Sequence, residues 1–151
     1  MSVSTKPKRT ANHSAYAYVD KREEFTGSSL RGEAYSPGSA PYLSSRDTWM
    51  NEYETEMYGK NRHRIVYIVW SFYTPIAYFT EVNGKGQWYK VGQSFSQFTS
   101  RHRNGALRNI TGHMVVLRER RGDNTVECFD CGTTRHFTHV GDARQTYYLH
   151  R

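Results

Sequence analysis

The chain has 151 residues, of which 36% are hydrophobic and 15% aromatic, with a mean hydropathy of −0.83. Its 21 basic residues outnumber 14 acids, giving +7 and an isoelectric point near 9.5. This length suits one domain plus a tail, and 12 Tyr, 7 Phe and 3 Trp are too many rings for a wholly disordered chain. Composition excludes a coiled coil and a collagen-like fibre.

The longest apolar run, Ile65–Trp70, is too short to span a bilayer. Met1–Thr10 holds Lys6, Lys8 and Arg9 without an apolar stretch, so no secretory signal is read there. Two cysteines cannot form a disulfide framework. The expected setting is intracellular, without a membrane.

Residues 1–44 are rich in Ser, Gly, Ala and Tyr, and show neither helical nor strand periodicity. Ser36-Pro37-Gly38 and Ala40-Pro41 interrupt any element that starts there. This segment is expected to be a flexible arm, because its apolar content does not offset chain entropy. Over 46–58, Trp49, Met50, Tyr53 and Met57 recur at helical spacing, with Asp47 as cap and Gly59 as stop.

Three strands are expected next. Ile65–Trp70 is β-branched and aromatic, Ile76–Val82 follows Pro75, and Gln87–Gln93 returns after the Asn83-Gly84 turn. Ser96–Arg103 has room for one or two helical turns, and Thr111–Arg121 reads as a strand. Gly122-Asp123-Asn124 turns the chain, Thr125–Phe129 pairs back, and Gln145–His150 is placed as an edge strand. The expected fold is α+β: a small, mainly antiparallel sheet within a single domain over 45–151, one preceding helix, and a disordered N-terminal arm over 1–44.

Two constellations carry chemistry. Cys128-Phe-Asp-Cys131-Gly132 is followed by His136 and His139. A Cys-x2-Cys pair before glycine can turn both thiolates onto one ion, and two imidazoles would close a tetrahedral structural zinc site. The histidine spacing departs from that of the usual finger, and two reduced cysteines beside unrelated histidines, or a redox pair, are the alternatives. His102 or His113 could replace one histidine.

The second constellation is basic and aromatic. Arg101, Arg103, Arg108, Arg118, Arg120 and Arg121 are opposed only by Glu119 between positions 95 and 121, and His102, Trp88 and Phe98 lie among or before them. Arginines would hold phosphate while rings stack on unpaired bases. Solubilising surface charge and core packing are the plain alternatives.

No nucleophile elbow, phosphate-binding glycine loop or paired-carboxylate site is legible, so no catalytic residue is assigned and a binding module is favoured over an enzyme. The expected ligand is nucleic acid. The alternative is a host or virion protein bound through Tyr16, Tyr18, Tyr35 and Tyr42 of the arm.

Residues Ser71-Phe-Tyr-Thr-Pro-Ile-Ala77, then Trp88, then Phe95-Ser-Gln-Phe-Thr-Ser-Arg-His102, resemble a group of short uncharacterised proteins from actinobacterial phages. That group shares a Ser-Tyr-x-Thr-Pro-Ile-Ala-like stretch, a Trp-containing strand and a Thr-Ser-Arg/Lys-His-Gln ending. Phe72 and Tyr73 alter the first motif, and Arg103 stands where the group has glutamine. The resemblance covers roughly residues 66–104 and implies a small phage accessory domain, working in the host cytoplasm, with no activity attached.

Overall fold

A computed structural model describes residues 8–44, 46, 52–91, 105–110, 115–120, 123–128, 134–139 and 141–143. The fold is α+β. Strands β1 (Lys8–Arg9), β2 (Phe25–Thr26), β3 (Leu30–Ala34), β4 (Ile65–Ser71), β5 (Thr74–Val82) and β6 (Lys85–Lys90) form one six-stranded sheet in chain order. Only β1 and β2 pair in parallel; the other neighbours are antiparallel. Strands β7 (Val115–Arg120), β8 (Asp123–Cys128) and β9 (Thr134–Phe137) form a second, three-stranded antiparallel sheet.

The three central strands follow the sequence. Asn83 (φ 52°) and Gly84 (φ 77°) make the β5–β6 turn with both central residues left-handed, as a two-residue hairpin requires. Pro75 sits opposite Trp70, beside a register shift between Val69 and Trp70. The ladder to β6 begins only at Ala77, so the missing proline N–H breaks no bond there.

Strand β4 is apolar almost throughout because both faces of the sheet are covered. On one face Val19 of α1 (Tyr16–Lys21), Phe25, Leu30, Tyr67, Val69, Phe79 and Trp88 pack with Leu107 and Ile110. On the other, Tyr58 of α2 (Glu52–Asn61) packs with Ile65, Ile68, Trp70, Tyr78, Tyr89 and Ala40.

The expected flexible arm is corrected over residues 8–44. They supply β1–β3 and α1, and Ala15, Val19, Phe25 and Leu30 are at most 1% exposed. Strand β3 pairs with β4 over five residues, and Tyr67 Oη donates to the Glu23 carbonyl at 2.7 Å. The elements are too short to show a period, and they are stable because the central sheet supplies the surface they cover.

Gly59 does not end α2, which runs on to Asn61. A glycine inside a helix costs about 1 kcal/mol. Against this, the Tyr58 ring meets Tyr78 edge-on at 5.5 Å, and the buried Asn61 amide donates to the Met57 carbonyl at 3.1 Å. Asp47, Trp49 and Met50, the helical turns over Ser96–Arg103 and the edge strand over Gln145–His150 lie outside the described residues. Asp123 and Asn124 were expected in a turn and are already paired in β8. Among the described residues no helix is long and apolar enough to cross a membrane.

Gly32 is the tightest point of the N-terminal layer. A Cβ there would lie 2.1 Å from Tyr67 Oη and 2.6 Å from the Phe25 ring. Gly32→Ala is therefore expected to cost about 2–3 kcal/mol through overpacking. In a thermal melt this reads as a fall of roughly 4–12 °C; an unchanged midpoint would contradict the packing described.

Candidate functional site

Strand periodicity places Arg31 and Glu33, two residues apart, on the same face of β3. Gly32 between them turns to the Phe25–Tyr67 side. Register sets Arg31 directly opposite Trp70 of β4. The Arg31 guanidinium lies over the Trp70 ring at 4.8 Å. Its Nε donates to Glu33 Oε1 at 2.8 Å, and its Nη1 donates to the Phe72 carbonyl at 2.7 Å.

Tyr35 closes the other side of this cluster. Its hydroxyl donates to Glu33 Oε2 and accepts from Trp70 Nε1 at 3.3 Å. Burial, then the hydrogen bond to Glu33, pushes the Tyr35 pKa well above the ordinary tyrosine value, so the hydroxyl stays a donor. These side chains, with Pro41, Leu43 and Tyr73, line a cleft of about 290 Å³.

A second cleft of about 220 Å³ shares Arg31 and Tyr73 and is walled by Gly27, Ser28, Ser29 and Phe72. Between the clefts stands the two-residue β4–β5 turn, with Tyr73 77% exposed and Phe72 at φ 55°. A bulky side chain rarely adopts that backbone angle. The Arg31 bond to the Phe72 carbonyl and the bond from Phe72 N–H to the Ser29 carbonyl at 2.9 Å hold the turn from two sides.

Arginine stacked on an aromatic ring recurs elsewhere. Arg62 lies over Tyr42 at 3.6 Å and donates to the Gly38 and Ala40 carbonyls at 2.9 and 2.6 Å. Tyr42 itself is 84% exposed, and its neighbours Pro41 and Leu43 form a wall of the larger cleft. Arg108 lies over Tyr16 at 3.3 Å, and Arg22 over Phe79 at 4.3 Å. The described residues hold four such pairs.

No family model, curated protein or solved structure matches this chain.

Of the residues singled out in sequence, Trp88 is corrected. It is 8% exposed and packed edge-on against Tyr67 and Phe79 at 6.0 and 5.2 Å, so it is a core ring that offers no face for stacking. Arg108 is exposed on its tyrosine. Positions 118 and 120 share one face of β7, and Arg118 is in register with Thr125 and, across β8, with His136. Arg101, His102, Arg103, Arg121 and Phe98 lie outside the described residues.

For the zinc ligands, Cys128 is the last residue of β8 and Cys131 lies outside the described residues. Along β8, Cys128 stands three positions beyond Thr125, the partner of His136, about 10 Å of extended strand. His136 Nδ1 is 3.1 Å from Asp123 Oδ1 and 3.2 Å from Thr125 Oγ1. His139 is exposed just after β9. Among the described residues, no group of three or more His, Cys, Asp or Glu side chains is placed to hold a metal ion.

Sequence reasoning missed Arg31, Glu33, Tyr73 and Trp70 as site residues. The signal for the first two was the Leu30-Arg31-Gly32-Glu33 alternation, hidden inside a segment read as an arm.

Proposed function

We infer that the protein is a non-enzymatic nucleic-acid-binding module, an accessory protein of phage origin acting in the host cytoplasm on single-stranded DNA or RNA. The reading rests on one observation: the Arg31–Trp70 and Arg62–Tyr42 stacks adjoin through residues 41–43, with the exposed Tyr73 ring beside them. Trp70, 4% exposed, only seats Arg31; the exposed Tyr42 and Tyr73 rings and the guanidinium planes are surfaces on which unpaired bases stack, and arginine edges contact phosphate. The basic isoelectric point favours the encounter.

Fluorescence anisotropy with a labelled single-stranded oligonucleotide tests this. With three phosphate contacts, affinity should fall roughly 20-fold between 50 and 200 mM salt. Tyr73→Ala should weaken binding by roughly 5–150-fold while leaving the melting temperature unchanged, because the ring is exposed. Absence of binding at 50 mM salt removes the reading.

A protein partner is the second reading, favoured by Tyr42 at 84% and Tyr73 at 77% exposed, since exposed tyrosines serve as interface anchors. A flexible arm is not part of it, because Tyr16, Tyr18 and Tyr35 are half-buried in ordered structure. Binding unaffected by salt, to protein and not to oligonucleotide, would select it.

A further inference from the structure

We propose that the cleft between Tyr73 and Tyr35 takes a guanine base, whose Watson–Crick edge is read by the Arg31–Glu33 pair. The proposal rests on the nucleic-acid reading for its biological setting and on the cleft's own geometry for its chemistry.

A carboxylate has about four lone-pair positions. The contacts described use one on each Glu33 oxygen, from Arg31 Nε and from the Tyr35 hydroxyl. Each oxygen keeps a second position for a donor. Arg31 has five N–H donors, and its Nε and Nη1 bonds to protein leave others for an acceptor on the ligand. The pair thus presents a cationic donor next to two anionic acceptors.

Guanine carries the matching sequence of groups, with the O6 acceptor followed by N1–H and N2–H donors. Adenine sets one donor beside an acceptor, cytosine one donor beside two acceptors, and uracil or thymine a single donor between two acceptors. Only guanine offers a carboxylate two adjacent donors while its O6 faces a guanidinium. Both readers are fixed in advance, Arg31 by Trp70, Glu33 and the Phe72 carbonyl, and Glu33 by Arg31 and Tyr35. Little side-chain ordering then opposes binding.

Size and surroundings agree. About 290 Å³ falls just below the usual range of small-ligand clefts, as suits one base. Tyr73 gives a largely exposed ring for stacking, and the adjoining cleft, sharing Arg31 and Tyr73 and lined by Ser28 and Ser29, has room for the sugar and phosphate.

The test is titration of the full chain with GMP, AMP, CMP and UMP, following tryptophan fluorescence, since Trp70 lines the cleft. GMP should quench saturably and bind at least tenfold more tightly than the other three. Glu33→Gln, which turns one acceptor into a donor, should lose that preference. Tyr73→Ala, at an exposed turn position, should weaken GMP binding at least fivefold without altering the melt.

Equal binding of all four nucleotides, or no quenching by any, overturns the proposal. So does an unchanged GMP preference in Glu33→Gln; if that variant melts early, Tyr73→Ala and competition of GMP against a labelled guanine-rich oligonucleotide decide. Salt-sensitive oligonucleotide binding without a guanine preference defeats this inference alone. GMP binding without oligonucleotide binding defeats the nucleic-acid reading and leaves the guanine cleft standing.

Discussion

Deleting residues 1–44 is expected to unfold the rest of the chain. Val19, Phe25 and Leu30 are at most 1% exposed, and all three are lost in the deletion. Burial of a large apolar side chain contributes about 1.5–3 kcal/mol, so the three together supply about 5–9 kcal/mol. A domain's whole stability is about 5–15 kcal/mol. The deletion also strips β3 from β4, opening a ladder that runs from Leu30–Ser71 to Ala34–Tyr67. The bared edge would be Ile65–Ser71, an apolar strand of the kind that aggregates when unpaired. Circular dichroism and a thermal melt of the truncated chain provide the measurement. A cooperative melt within a few degrees of the full chain would show that the N-terminal layer adds nothing.

The central hairpins were legible because their signals are local. A β-branched run, a proline at a strand start and Asn-Gly each act over two to six residues, and β4–β6 follow them closely. The N-terminal layer was not legible, because its signal is tertiary. Strand β2 has two residues and α1 has six, too few for any period, and Val19 and Phe25 gain their burial from a sheet built some 40 residues later in the chain.

The same distinction governs the site. Arginine density along the chain pointed to 101–121, whereas the described arginine stacks pair residues far apart in sequence, Arg31 with Trp70, Arg62 with Tyr42 and Arg108 with Tyr16. A stack needs a strand partner or a neighbouring segment to deliver the ring, and linear spacing does not show which one. Trp88 illustrates the reverse error. Its basic surroundings suggested an exposed ring, but its register opposite Phe79 turns it into the core. The second sheet was half legible: β7 and β8 were readable from their valines, while β9, Thr134–Phe137, has the composition of a loop and is held by pairing with β8.

Alkali should unfold the protein in a narrow window above pH 10. Tyr58, Tyr67 and Tyr78 are each 1% exposed. Burial raises all three pKa values above the ordinary value of 10.0; the Glu24 and Glu23 carboxylates add to it at Tyr67, the Glu54 carboxylate adds at Tyr78, and Arg62 opposes it at Tyr58. The folded state therefore keeps its protons where the unfolded chain gives them up. With folded values raised, the stability from these groups is fully present below pH 10 and is lost as pH climbs toward the folded values. Each tyrosine removes about 1.4 kcal/mol per pH unit across that window, so three remove about 4 kcal/mol per unit. One to four units would exhaust a typical domain. Ionisation also destroys the hydroxyl donors that Tyr58 and Tyr67 give to the Pro41 and Glu23 carbonyls, each at 2.7 Å. Near-ultraviolet circular dichroism against pH should show a single steep loss beginning above about pH 11, and Tyr67→Phe should make it shallower by about a third. Native dichroism persisting at pH 12 with every tyrosine ionised would mean that these rings are not sealed in the core.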